Sequence, residues 1–341
     1  MSLFSLVKSV TEISAVSGRE SMAFDELDRL FGSYFDERFT TPPGSYVGVC
    51  KCGKKNAKKL IMDAHLDEIG FMVKEICDGG FLKVTNLGGV DTKVLSSQEV
   101  WIFGKEKISG VFASKPPHLQ EAGESEKKLL LTDMLIDTGR TKEYLEENVP
   151  LGTVCSYKTV TEELLGGRIV GKSMDDKICM ATILRSIELL RGKELNVDVY
   201  ALFSAGEEIG YVGARTAAFG IDADYAVAID VTNSFVPESP KKREFNRLGY
   251  GGVVSLSPTI SRPLSKRFMA LLEEKEIPFQ RIAEAGRTGT NAHVLQITRA
   301  GIPTTLISVP LRYMHTPNEV ADLKDVEDTA RALAALAESL D

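Results

Sequence analysis

The chain has 341 residues, which is enough for two domains that each bury a hydrophobic core. Hydrophobic residues make up 43% of the chain and charged residues 26%, as in ordinary globular proteins. The net charge of −7, without a basic stripe with interleaved aromatic residues, argues against nucleic acid and anionic membranes as partners.

The N-terminal segment and the cysteines indicate a cytoplasmic protein. Lys8 and Glu12 interrupt the first apolar residues, so this segment lacks the continuous apolar region of a signal peptide. No window approaches the roughly 20 consecutive apolar residues of a membrane span. The 5 cysteines are scattered and odd in number, which is typical of reduced, packed thiols.

Two amphipathic helices followed by strands open the chain, as is typical of an α/β domain. The two apolar helix stripes are Leu3, Leu6, Val7 and Val10, and then Ala23, Leu27, Leu30 and Phe31. Strands are predicted at residues 46–49 and 59–65.

Between residues 71 and 164 the pattern changes to short β-like runs separated by Gly, Asp and Pro. We interpret this segment as an inserted all-β domain that divides an α/β domain into residues 1–70 and 165–341. Helical periodicity resumes between Met180 and Leu190, and the chain ends in a long amphipathic helix capped by Asp322. Further strands are predicted at residues 168–171, 225–229, 253–256, 279–282 and 304–309. The expected fold is α/β, with a mixed central sheet flanked by helices and an inserted β domain.

Two adjacent carboxylates, Glu207 and Glu208, follow a predicted buried strand at residues 197–203 and lie between Gly206 and Gly210. The carboxyl ends of such strands are where α/β enzymes place their chemistry. In extended backbone, consecutive side chains point in opposite directions. One carboxylate could therefore bind a metal while the other faces water or substrate. The alternative is a solvated acidic turn.

Other metal-ligating side chains lie at the ends of predicted elements. The chain has 4 histidines, and two of them, His65 and His315, lie where strands end. Asp67 is close enough in sequence to His65 to hold the imidazole through its other nitrogen. Asp175 begins the helix that follows residues 168–171, and Asp230 ends the strand 225–229. Each position alone has an ordinary structural explanation, such as a helix cap or a hydrogen-bonded core residue.

Together these positions have the composition of a two-metal hydrolytic site. His65, Asp175, Glu208, Asp230 and His315 are five nitrogen or oxygen ligands in one domain. A shared carboxylate can bridge two divalent ions and leave one His and one acid to complete each of them.

Longer motifs extend over nearly the whole chain in a fixed order. They are AHLDEIGFMV, FLKVTNLGG, SKPPHL, MLIDTG, GKSMDDKICMATILRSIELL, SAGEEIGYVGA, AIDVT, GTNAHVLQ and PLRYMHTPNEVADLKDVE. In these motifs the chain resembles the dinuclear-metal, tetrahedral aminopeptidases, also called deblocking or glutamyl aminopeptidases or endoglucanase M. The resemblance implies a zinc-exopeptidase-like catalytic domain.

The resemblance also assigns the metal ligands. It implies that Asp175 bridges two divalent ions, that His65 and Asp230 complete one, and that Glu208 and His315 complete the other. Zinc, cobalt and manganese all suit these ligands.

The remaining site residues receive roles from the same resemblance. It implies that Glu207 is the general base, that Asp67 supports the metal-binding histidine, and that the Asp175–Asp176 peptide is cis. Members of the family often carry Asp where this chain has Asn291.

The implied function is metal-dependent removal of N-terminal residues from short peptides, by a water that two metals activate and a Glu base deprotonates. The implied assembly is a dodecamer built from dimers, with the β insert at subunit contacts. A deacylase or carboxypeptidase of the same clan is the nearest alternative. A glycoside hydrolase would need two carboxylates facing one bond about 5 to 9.5 Å apart. A non-catalytic binding protein is the third class.

Overall fold

A computed structural model describes residues 1–120, 123, 129–237, 239 and 246–341. Residues 121–122 and 124–128 of the predicted insert, and residues 238 and 240–245, lie outside the described part. The helices are α1 (Leu3–Thr11), α2 (Phe24–Phe31), α3 (Lys142–Asn148), α4 (Met174–Leu190), α5 (Val212–Ile221), α6 (Arg262–Glu274), α7 (Ala292–Gln296) and α8 (Leu323–Ser339). None of the described helices combines the length and the apolar character needed to cross a membrane.

The strands form a large sheet, a small sheet and a barrel. The large-sheet strands are β1 (Glu37–Thr40), β2 (Tyr46–Cys50), β3 (Lys58–His65), β12 (Val197–Ser204), β13 (Tyr225–Asn233), β14 (Gly252–Leu256), β15 (Phe279–Ala283) and β16 (Thr304–Leu311). The barrel strands are β4 (Gly70–Cys77), β5 (Phe81–Leu87), β6 (Glu99–Phe103), β7 (Lys107–Phe112), β8 (Ile136–Asp137) and β9 (Val154–Tyr157). The small-sheet strands are β10 (Glu162–Glu163), β11 (Arg168–Gly171) and β17 (Glu319–Asp322).

The large sheet is mixed, as predicted. Its order is β1-β2-β12-β3-β13-β16-β14-β15, and the four central strands from β12 to β16 are parallel. Strands β2 and β14 run antiparallel to the central group. The parallel register places Ser204 of β12 beside His65 of β3, so both strands end at the same edge.

Helices cover both faces of this sheet because alternate strand residues point to opposite sides. Leu60 and Met62 of β3 belong to the larger core, which includes residues of α1, α4 and α8. Ile61, between them, belongs to the second core with residues of α5 and α7. Strand β16 is buried along its whole length, as expected for a central parallel strand.

The predicted β insert is a closed barrel with the order β4-β5-β8-β7-β6-β9. Its own core is built around the rings of Phe71, Phe112 and Tyr157, which meet edge to face. Helix α3 packs one buried side chain, Leu145, into this core, so the insert is not entirely β. The barrel ends at Tyr157, whereas β10 joins the small sheet with β11 and β17. We propose that residues 71–164 act as the inserted domain, with β10 as the return to the α/β part.

Candidate active site

His65 is the last residue of β3, and it is held by two contacts of its ring and one of its backbone. Its Nδ1 lies 2.8 Å from the main-chain oxygen of Asp67, and its Nε2 lies 3.1 Å from Asp175 Oδ1. Its backbone N–H donates to Asp176 Oδ2 at 2.9 Å. An Nδ1–H that donates to a carbonyl leaves the Nε2 lone pair free to bind a metal. The ring therefore points a ligand atom at Asp175.

Asp67 holds the ring of His65 through its carbonyl, and its carboxylate has a second task. Its Oδ1 is 3.6 Å from His65 Nδ1, so the Asp67 carbonyl holds the ring instead. The carboxylate accepts hydrogen bonds from Ser17 Oγ at 2.7 Å and from the backbone N–H groups of Glu207 and Glu208 at 3.0 and 3.2 Å. Asp67 thus fixes the turn that carries both glutamates.

Glu207 and Glu208 lie in a turn after β12 rather than in extended backbone. The turn is possible because Gly206 adopts a left-handed φ of 62°. Both side chains line the same cavity. The turn expected after the strand is present, but the extended backbone assumed for the two glutamates is not.

Asp175 faces two histidines at once. Its Oδ1 is 3.1 Å from His65 Nε2, and its Oδ2 is 3.1 Å from His315 Nε2. The Asp175–Asp176 peptide is cis, as expected, and both residues have non-helical backbone angles within the first turn of α4. Burial alone would raise the pKa of Asp175, but the adjacent rings of His315 and His65 hold it below its usual value.

The five predicted ligands form two groups that share Asp175. The ligand atoms of His65, Asp175 and Asp230 lie within 4.8 Å of one another, as do those of Asp175, Glu208 and His315. Asp230 lies inside β13 rather than at its end, because the strand continues to residue 233. The structure therefore brings together all five residues that the sequence singled out.

Glu319 of β17 supports this arrangement and was not predicted. Its carboxylate accepts hydrogen bonds from the backbone N–H groups of Asp175 at 3.1 Å and of His315 at 2.8 Å. His315 has a left-handed φ of 64°, a conformation that a non-glycine residue keeps only when its surroundings fix it. The ring Nε2 of His315 is 3.1 Å from Glu208 Oε1. Glu319 therefore connects the backbone of Asp175, which both groups share, to the backbone of His315.

A barrel loop forms one wall of the site. A Cβ atom added to Gly89 would lie 2.7 Å from His315 Nδ1, and one added to Gly88 would lie 2.9 Å from Glu208 Oε2. Any larger residue would displace these side chains. The barrel backbone thus approaches the second ligand group directly.

Asn291 and His293 lie beside the site without joining either ligand group. Asn291 Nδ2 donates to Ser204 Oγ at 2.9 Å, and His293 Nδ1 is 2.7 Å from the carbonyl of Thr290. Asp63, also missed from the sequence, faces Ser204 and Asn291, and burial raises its pKa to about 7. These contacts anchor the loop of residues 288–290, which lines the cavity.

The cavity over the ligand groups has a volume of about 380 Å³ and is strongly acidic. Its described lining includes no Lys or Arg. Burial, followed by repulsion from neighbouring carboxylates, raises the pKa of Glu207 to about 9 and that of Asp230 to about 8. Two His and several carboxylates match the donor preferences of divalent transition metals. The residues therefore fit metal ions, which would balance this excess of negative charge.

Comparison with known proteins identifies the family. Residues 44–332 match the family model described as M42 glutamyl aminopeptidase. A lysyl aminopeptidase of Pyrococcus furiosus is 33% identical over 98% of this chain and 96% of its own. An aminopeptidase structure from Desulfurococcus kamchatkensis has a TM-score of 0.91 and 32% identity, over 99% of this chain and 95% of its own. The TET1 peptidase of Pyrococcus horikoshii has a TM-score of 0.87 and 26% identity, over 99% of this chain and 100% of its own.

These matches favour peptide hydrolysis over the glycoside hydrolase and the non-catalytic protein considered from the sequence. They also agree with the paired ligand groups at the edge of the sheet. The chain belongs to the M42 glutamyl aminopeptidase family and is a metal-dependent aminopeptidase, an enzyme that hydrolyses peptide bonds.

Proposed function

We propose that the protein uses two divalent ions to release N-terminal residues from short peptides. The observation that carries this proposal is the position of Asp175, whose two carboxylate oxygens each lie 3.1 Å from a different histidine. A carboxylate that faces two ligand groups is suited to bridge two ions. We assign His65 and Asp230 to one ion and Glu208 and His315 to the other.

Glu207 is the proposed general base. The paired ions, when bound, would polarise the scissile carbonyl and acidify a water. The Glu207 carboxylate takes the proton of the attacking water and then delivers it to the nitrogen of the leaving amine. Burial and nearby carboxylates raise the pKa of Glu207 to about 9, so its proton-accepting form needs positive charge nearby. The proposed ligand groups supply the places for that charge.

Asp67 is the proposed positioning residue for this chemistry. Its carboxylate holds the backbone of Glu207 and Glu208, while its carbonyl orients the ring of His65. One residue thereby sets the relative position of the base and of ligands from both groups. Precise orientation of this kind contributes strongly to catalysis.

The aminopeptidase assignment is tested with aminoacyl p-nitroanilides and their N-acetylated counterparts. After removal of metal by chelation, hydrolysis should stop, and zinc, cobalt or manganese should each be tried for restoring it. Free substrates should be cleaved and acetylated ones spared. Preferential cleavage of the acetylated substrates would support the deacylase alternative, and release of C-terminal residues from peptides would support the carboxypeptidase alternative.

We also propose that the protein assembles into a dodecamer built from dimers. The similar TET1 peptidase of Pyrococcus horikoshii can assemble into a tetrahedron or a large octahedral shell. In this chain the barrel is the proposed contact domain, because it has its own core and the glycines after β5 lie against Glu208 and His315. Light scattering at micromolar concentration tests the assembly, and a fully active monomer would contradict it.

The proposed location is the cytoplasm. All 5 cysteines, Cys50, Cys52, Cys77, Cys155 and Cys179, have free thiols. Free thiols are the usual state of cysteine in a reducing compartment. Fractionation of cells followed by immunodetection would test this location.

A further inference from the structure

Glu284 is an acidic residue of the cavity that has no part in the proposed metal centre. It follows the last residue of β15 and lines the same cavity as Glu207, Tyr211 and the loop of residues 288–290. The two ligand groups do not include it. Its carboxylate is therefore free to contact another part of the substrate.

The carboxylate of Glu284 lacks a cationic partner in the part of the chain that the structure describes. Its Oε2 is buried and makes no hydrogen bond to a described residue. No Lys, Arg or His of that part pairs with it. Burial raises the pKa of Glu284, and a hydrogen bond with Ser255 opposes the rise. A buried carboxylate oxygen without a partner is unfavourable unless a ligand satisfies it.

Glu284 lies in the same cavity as the ligand groups but outside both of them. No carboxylate of those groups contributes to the shift of its pKa. Metal ions would neutralise the ligand carboxylates but not Glu284. The cavity would then present one acid that the ions do not neutralise.

We infer that Glu284 determines specificity by pairing with the cationic side chain of an N-terminal lysine or arginine. The inference rests on the proposed aminopeptidase function and names the substrates that this site prefers. These side chains are long, carry a positive charge and end in hydrogen-bond donors, so they suit a carboxylate acceptor on the cavity lining.

Arg287 is the nearby residue that would favour substrates with an acidic N-terminal side chain. It lies on the same loop and close enough to Tyr211 to lower that residue's pKa. However, Arg287 is exposed and does not line the cavity, whereas Glu284 does. An acidic N-terminal side chain inside the cavity would meet Glu284 and be repelled. The geometry therefore favours a basic side chain over an acidic one.

The test compares lysyl and norleucyl p-nitroanilides, because norleucine has nearly the shape of lysine without its charge. The metal-loaded protein should show a higher kcat/KM for the lysyl substrate than for the norleucyl and glutamyl substrates. Glu284→Gln should reduce the lysyl-to-norleucyl ratio by about 10-fold to 100-fold, the range expected for one hydrogen bond to a charged group. The control Glu274→Gln removes an exposed carboxylate of α6 and should leave the ratio unchanged.

A binding measurement separates this inference from the proposed function. Free L-lysine should inhibit hydrolysis more strongly than L-norleucine, and Glu284→Gln should remove the difference. Hydrolysis with an unchanged ratio in Glu284→Gln, or a preference for glutamyl substrates, would overturn the role of Glu284 and leave the aminopeptidase standing. If no aminoacyl substrate is cleaved, the proposed function fails, and thermal stabilisation by L-lysine over L-norleucine still decides the role of Glu284. Should Glu284→Gln not fold, Glu284→Asp replaces it and should lower the ratio less.

Discussion

Replacing Glu68 by Gln should strongly destabilise the protein, because Glu68 is the buried anion between two buried lysines. Its Oε2 accepts hydrogen bonds from Lys172 Nζ at 2.6 Å and Lys177 Nζ at 2.8 Å. Its Oε1 accepts from Ser156 Oγ of the barrel at 2.9 Å and from the N–H of Ala15 at 3.2 Å. The carboxylate therefore joins the N-terminal segment, the barrel and the start of α4.

The size of the effect follows from the burial of both lysines. Glu68, Lys172 and Lys177 are all almost fully buried. Removing one partner of a buried ion pair typically costs about 3 to 5 kcal/mol, because the opposite charge is left uncompensated. An unfolding entropy of about 2.1 cal/mol/K per residue gives roughly 0.7 kcal/mol/K for 341 residues. The melting temperature of Glu68→Gln should therefore fall by about 4 to 7 °C.

The control is Glu75→Gln in strand β4. Glu75 Oε2 lies 3.0 Å from Lys83 Nζ on the surface, where a single ion pair contributes little to the free energy of unfolding. Thermal unfolding followed by circular dichroism, at equal concentration and metal content, should show no resolvable shift for this variant. Equal shifts for the two variants would refute the reasoning about the buried cluster.

Acid should reduce the difference in melting temperature between the wild type and Glu68→Gln. Burial would raise the pKa of Glu68, but the two lysines outweigh it and hold the pKa well below its ordinary value of 4.5. A group with a lowered pKa in the folded state stabilises the protein above its unfolded pKa and loses this effect as the pH falls. The two melting temperatures should therefore converge below about pH 4.5, and a gap that stays constant would contradict the assignment.

The metal centre yields further predictions. Asp175→Ala should lose both ions by elemental analysis, whereas His65→Ala and His315→Ala should each lose mainly one; two retained ions in Asp175→Ala would contradict the bridge. Glu207→Gln should keep its metals while its kcat falls by about 10² to 10⁴, as expected for a lost general base. Glu208→Gln should also lose metal, because a neutral amide is a poorer ligand than a carboxylate. Near-normal turnover by Glu207→Gln at saturating metal would exclude it as the base.

The sequence was sufficient to single out the five candidate ligands because each lies close to the end of a recognisable element. His65 ends an apolar strand, and Asp175 follows a short strand at the start of a strongly periodic helix. Histidine is scarce in this chain, which made His315 conspicuous. These signals are local, so they can be recognised in the sequence without knowledge of the fold.

The supporting residues could not be predicted, because their partners are distant in sequence. Glu319 binds the backbone of Asp175, 144 residues away, and Glu68 binds Lys172, 104 residues away. A buried acid of this kind looks in sequence like any surface glutamate. The second task of Asp67 was missed for the same reason, since its carboxylate accepts hydrogen bonds from backbone groups 140 and 141 residues away.

Some elements were missed because their local pattern is weak. Strand β1 is exposed at all four of its residues, so it shows no alternation of apolar and polar side chains. Helix α5 is built largely from Ala and Gly, and its buried face includes Ala214, Ala217 and Ala218. Small residues pack closely against the sheet without giving a strong apolar stripe. Tertiary packing, rather than local preference, determines such elements.

The contact of Gly88 and Gly89 with the ligand groups limits how this protein can be redesigned. Excising the barrel, or grafting one from another protein, would look feasible because it has a separate core. The graft would nevertheless have to reproduce a bare backbone beside His315 and a hydroxyl at Ser156 that reaches Glu68. A chimaera with larger residues in place of the glycines would displace His315 and Glu208. Replacing the barrel would therefore also change the active site.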